Sequence, residues 1–139
     1  TVWPILVVFA CCEFIDITKA LYEFWSQFGI PAYADDMVPE DAKLPYIRYS
    51  VAKAPAMDAS VLTAYNYHER RLMGNVERVE MAGRIADAIP DKKGVKIQLD
   101  NGGFVTLFRN TDFQTLYQDP EDFNVIGVRT SVEVHFYSM

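Results

Sequence analysis

Apolar and polar residues alternate along the chain with two different periods. Over "DITKALYEFWSQFG", Ile17, Ala20, Leu21, Phe24, Trp25 and Phe28 recur at helical spacing, while Thr18, Lys19, Glu23 and Gln27 fall off that stripe. Asp16 suits an N-cap and Gly29 stands where the helix stops. The pattern predicts a core-facing amphipathic helix, in preference to one presenting an aromatic anchor to solvent. Ile30 to Ala34 fits a short strand, and Asp35 to Lys43, with four acids and a proline, a loop. "LPYIRYSVAK" then alternates: Ile47, Tyr49 and Val51 share one face, Tyr46, Arg48 and Ser50 the other. Pro45 belongs at the start or edge of this strand. After an interruption at Lys53 to Ala56, Val61, Thr63, Tyr65 and Tyr67 alternate with Leu62, Ala64, Asn66 and His68.

A second helix is predicted over "GNVERVEMAGRIADAIP", ended by Pro90. Val76, Val79, Ala82, Gly83, Ala86 and Ile89 form its expected buried stripe, with Glu80 and Arg84 outside. Gly83 within a helix costs about 1 kcal/mol relative to Ala, so a close approach to a sheet is expected there. "VKIQLDNGGFVTLFR" reads as a hairpin turning at Asn101, Gly102 and Gly103. "FQTLYQ" fits a short strand and "DPEDFN" a turn. From Val128 to Met139, Val128, Thr130, Val132, Val134 and Phe136 are expected to be buried. Arg129, Ser131, Glu133, His135 and Tyr137 are expected to face water. The order of elements predicts an α+β fold, two helices packed on a mostly antiparallel β-sheet.

Length changes this picture little: 139 residues make one domain, which buries about two thirds of its unfolded surface. The opening "TVWPILVVFACCEF" stands apart. Its apolar run, Val2 to Cys12, is too short for a membrane-spanning helix and lacks the basic flank of a signal peptide. Residues 1–14 are expected to be an edge strand or an arm, and residues 15–139 a single domain. Net charge is −6, which argues against a grip on duplex DNA through its phosphates. Cys11 and Cys12 are adjacent, a spacing that suits neither a mutual disulfide nor a zinc motif, and they read as reduced thiols of an intracellular protein.

The remaining residues do not fall into a catalytic or metal-binding pattern. His68 and His135 sit in alternating strands with no Cys or carboxylate at ligand spacing. An apolar run raises rather than lowers a thiol pKa, so Cys11 and Cys12 are poor nucleophiles. "DNGG" precedes a strand, not the helix of a phosphate loop. The acids of "ADDMVPEDAK" and "QDPEDFN" match neither a calcium loop nor a carboxylate pair set in a cleft. The expectation is a non-enzyme without metal or cofactor. An enzyme or small-molecule-binding domain would need a concave pocket with convergent polar groups.

From Ile15 onward the order of "ITKALYEFWSQFGIPAY", the acidic loop into "LPYIRYSV", "DNGGF" and "DFQTLYQDPEDFNVIGVRTSVEVHFYSM" resembles the tail terminator (tail completion) proteins of tailed bacteriophages and prophages. The first 14 residues do not share the likeness. The resemblance implies a small α+β subunit of a hexameric ring with no catalytic residues. Such a ring caps the tail tube, ends its polymerisation, meets the head-side connector and leaves a channel through which DNA passes without specific binding. It implies residence in the virion neck after assembly in the bacterial cytoplasm, without a membrane. Another head-tail connector or neck adaptor is the alternative. Phe113, Tyr117, Asp119, Asp122 and Phe123, an aromatic and acidic group around the last turn, are the expected subunit or tube contact. Phe113 and Phe123 serve equally well as core.

Overall fold

A computed structural model describes residues 17–50, 59–100 and 102–137, with side chains omitted at 59 and 60. The apolar segment 1–14, the Asp16 cap, Val51, the interruption at 53–56 and Asn101 lie outside the described residues. The chain is helical over 17–26, here α1. Then follow β1 (Ala32–Ala34), β2 (Tyr46–Tyr49), β3 (Ala59–Glu69), α2 (Leu72–Ala88), β4 (Val95–Gln98), β5 (Phe104–Gln118) and β6 (Val125–Tyr137). The six strands form one sheet in the order β1-β2-β3-β6-β5-β4. Only the β1–β2 pairing is parallel. This is the α+β class, with a mixed but mainly antiparallel sheet.

Register decides which side chains meet the helices. Leu62, Ala64 and Asn66 stand opposite Val132, Thr130 and Val128, and Ile47 and Tyr49 opposite Asn66 and Ala64. On β5, Val105 and Leu107 lie opposite Phe136 and Val134. Against this face α1 packs Ile17, Leu21, Phe24, Trp25 and Phe28, all buried as its periodicity predicts. Trp25 stacks near Tyr49 at 6.5 Å and meets Phe24 edge-on at 4.9 Å. Each such side chain stabilises the fold by about 1.5–3 kcal/mol through burial.

The second helix differs from its expected orientation. It begins at Leu72, and its buried residues are Gly74, Met81, Ala82 and Ile85, followed by Ile89 at the cap. Val76 and Val79 of the predicted stripe are 40% and 55% exposed, and Gly83 has open space where a Cβ would stand. The close approach occurs instead at Gly74, where a Cβ would run into the Glu69 carbonyl. Helical spacing admits two apolar stripes on this segment, and hydrogen bonds to β5 select between them. Gln114 Nε2 donates to the Ala82 carbonyl at 2.8 Å. Arg109 donates to the carbonyls of Ile89 and Ala86 at 2.7 and 2.8 Å. Arg78 Nη1 reaches the Tyr117 and Gly127 carbonyls at 3.3 Å. The last turn of α2 has no basic residue of its own, so Arg109 supplies the cation that the carbonyl end of a helix favours.

Two other expectations change. "FQTLYQ" is not a separate strand: β5 continues through it, past an irregularity between Arg109 and Gln114. The second face of β6 is wet only at its end, where Tyr137 is exposed as expected. Ser131 is buried and receives the Asn110 amide, and Arg129, Glu133 and His135 are half-buried.

Replacing Arg109 with Met leaves the Ile89 carbonyl unpaired and the Ala86 carbonyl with the Ile89 amide alone. Charged hydrogen bonds contribute about 1.5–3 kcal/mol each. Denaturant unfolding of the Arg109→Met protein is expected to show a loss of at least one such bond, with Arg109→Lys losing less. An unchanged midpoint would mean that α2 is held by apolar packing alone.

Candidate interaction surface

Both described helices lie on one face of the sheet, and among the described residues the other face is covered by its own side chains. Register builds two rows there. Tyr46, Tyr67, Gly127 and Tyr117 follow one another across β2, β3, β6 and β5. Tyr33, Arg48, Tyr65, Arg129 and Thr115 form the next row. The tyrosine rings touch: Tyr33–Tyr46 at 5.7 Å, Tyr46–Tyr67 at 5.3 Å, Tyr65–Tyr67 stacked at 5.8 Å and Tyr65–Tyr117 at 5.0 Å. Gly127 carries no side chain between Tyr67 and Tyr117, whose rings meet over it at 5.6 Å. A Cβ at Gly127 would also strike the Asn66 carbonyl at 1.8 Å.

Arg48 lies over Tyr65 and Tyr67 at 5.6 and 5.8 Å and pairs with Asp35 at 3.2 Å. Burial raises the Tyr67, Tyr46 and Tyr117 hydroxyls above the usual tyrosine pKa, with Arg48 opposing. Tyrosine and arginine on a half-buried sheet face have the composition of a protein-binding surface: large rigid area with polar tips.

The five residues expected at a contact do not form one site. Tyr117 belongs to the tyrosine cluster, its hydroxyl 3.5 Å from Asp119. Asp119 builds the β5–β6 turn by accepting from the Glu121 and Asp122 amides, which hold its carboxyl below the usual range. Asp122 accepts from the Asn124 amide. Phe123 projects from the turn, 68% exposed, with the Arg70 guanidinium 3.9 Å from its ring centre. Phe113 is elsewhere, partly buried against the core beneath Arg109 at 4.7 Å.

Sequence reasoning missed Leu72, Val76, Val79 and Leu116 as surface residues, 80%, 40%, 55% and 70% exposed. Their periodicity was visible, but the side of the helix that β5 covers was not. It also missed Tyr46, Tyr65 and Tyr67 as a cluster. Their alternation was legible, and their meeting across strands needed the register.

Other chemistry is sparse. Among the described residues no group of three or more His, Cys, Asp or Glu is placed to hold a metal ion. His68, 2% exposed, lines a cavity of about 170 Å³ with Glu77, Glu80 and Arg84. Its Nδ1 lies 3.7 Å from Glu77 Oε2, beyond hydrogen-bond length. Burial lowers its pKa below 6.5, opposed by Glu77 and aided by Arg78 and Arg71. No described helix is long and apolar enough to cross a membrane. Compared with known proteins, the chain matches no family model and no curated sequence.

Two consequences are measurable. In the unfolded chain His68 titrates near 6.5, and in the folded one below it. Its contribution is therefore complete above about pH 6.5 and declines as pH falls from there to the folded value. Unfolding free energies at pH 7.5 and 5.5 should differ more in the native protein than in His68→Gln, and equal differences would refute the burial of a neutral imidazole. Gly127→Ala forces the backbones of β6 and β3 apart at Asn66 and Tyr67, a strain of about 1–3 kcal/mol that shifts the tyrosines carried there. A lower melting temperature with reduced near-ultraviolet tyrosine ellipticity is expected, and a variant as stable as the native protein would contradict the close approach.

Proposed function

We propose that the chain is a structural virion subunit of a tailed phage: copies form a ring that caps the tail tube, ends its growth and joins it to the head connector around a channel for DNA. The observation that carries this reading is where the exposed apolar side chains lie. Leu72, Val76, Val79 and Leu116 occur on α2 and the outer half of β5, Tyr22 and Met37 beside β1 at the other end of the sheet, and Phe123 at the hairpin tip. A ring subunit that joins tube to connector needs two lateral contacts and axial contacts besides, and separate apolar areas suit that arrangement. The likeness of motif order to tail terminators supports the same reading and suggests a ring of six. The net charge of −6 suits a channel lining that lets DNA phosphates slide.

In this mechanism no bond is made or broken. The ring occupies the contacts that the next layer of tube subunits would make, and its far face offers the tube nothing to continue on. Assembly takes place in the bacterial cytoplasm and the product resides in the virion neck. The tyrosine face and the hairpin tip are the candidates for tube and connector contacts.

Tail length separates this role from that of a head-side adaptor. Particles made without the chain should carry overlong tubes, whereas free tails of normal length would assign it to the connector side. Alanine at Tyr117, Asp119, Asp122 and Phe123 should weaken length control while the protein stays folded. The Phe113→Ala protein should lose stability first, because its ring packs against the core. Normal tails from the four-residue variant would remove the hairpin tip from the contact.

A further inference from the structure

We propose that the outer edge of β5, Gln114–Gln118, receives the β1 edge of a second copy of this chain, joining the two sheets edge to edge with their helices on the same side. β4 pairs only with Phe104–Leu107, and past the irregularity no described strand lies outside Gln114–Gln118. This edge reads "QTLYQ", with neither the charge nor the proline that keeps free edges from pairing. Its register places Leu116 opposite buried Val128, on the helix-bearing face, yet Leu116 is 70% exposed. The α2 turn carrying exposed Val79 runs alongside, between the hydrogen bonds of Arg78 to Tyr117 and of Gln114 to Ala82. This edge thus lacks both a neighbouring strand and an apolar cover among the described residues.

The opposite end of the sheet offers the complement. Among the described residues β1 is its terminal strand. Beside it a cavity of about 540 Å³ opens, lined by Tyr22, Met37, Tyr49 and the β1 residues. Ala32 and Ala34 stand opposite core-facing Ile47 and Tyr49, so the cavity opens on the helix-bearing face as well. Joining the two edges with that face kept on one side brings Leu116 and Val79 of one copy to the Tyr22 and Met37 side of the next. Neither Gln114–Gln118 nor Ala32–Ala34 carries a charge, so these segments meet without opposing carboxylates in a chain of net charge −6. The contact is heterologous: each copy uses two different edges, and repetition closes a ring or grows a filament. Closure into a ring rests on the function proposed above, while the pairwise contact does not.

Disulfide trapping tests it. In a background of Cys11→Ser and Cys12→Ser, full-length Leu116→Cys and Met37→Cys proteins are mixed under mild oxidation at millimolar concentration. A cross-linked heterodimer is expected from the mixture, little from either protein alone, and a ladder from the protein carrying both substitutions. Adding Leu116→Lys to a Val79→Cys and Met37→Cys pair should reduce linking by roughly tenfold or more. Self-linking of Leu116→Cys would make the contact symmetric and overturn the assignment. So would an intrachain link of Leu116→Cys to Cys11 or Cys12 in the native background, which would name residues 1–16 as the occupant. Absence of any link would overturn it too. A linked pair from a chain whose loss leaves tail length normal would retain this contact and discard the terminator role.

Discussion

Hydrogen bonds from β5 to the backbone of α2 set the orientation on which the rest of the molecule depends. Arg109 and Gln114 stand on either side of the irregularity in β5 and both reach helix carbonyls. Arg78 answers from the helix to the carbonyls of Tyr117 and Gly127. Carbonyls at a helix end have no partners within the helix and carry its negative end. A cation from a neighbouring strand satisfies both demands. With this clamp in place, Met81, Ala82 and Ile85 turn inward and Val76 and Val79 turn out.

Among the described residues the helices cover one side of the sheet only. On the helix-bearing side the core is made of aliphatic and aromatic side chains from α1, α2 and every strand. On the other, tyrosines shield one another across strands, with Arg48 over two of the rings and Gly127 leaving room where they converge. A tyrosine can serve here because its ring buries area while its hydroxyl stays near water. The result is a domain with a packed core on one side and aromatic, arginine-bearing area on the other. Among the described residues His68 is as deeply buried as Tyr49 and Tyr67, and it faces Glu77 without a hydrogen bond.

Much of this was legible in the chain. The stripe of α1 from Ile17 to Phe28 is buried as its spacing predicts, because a helix with one apolar face has only one way to lie on a sheet. The alternation of β2, β3 and β6 identified their faces, since strand periodicity leaves no third direction. α2 was different: "LMGNVERVEMAGRIADA" carries apolar residues around much of its circumference, and its hydrogen-bonded partner lies more than twenty residues downstream. The expected contact residues also separated, because Phe113 lies in the irregular stretch of β5 before Gln114 and Tyr117 lies in the regular stretch after it, so the two meet different surroundings.

The sequence by itself determined the type and order of the elements, the core face of α1 and of the central strands, and the turn chemistry of "DPEDFN", since these follow from local spacing and from side chains that bond their own backbone. Tertiary structure alone decided which stripe of α2 faces inward, how the tyrosines meet over Gly127, and which half of β5 β4 leaves uncovered. Those outcomes depend on strand order and register, which pair residues far apart in the chain and leave no trace in local periodicity.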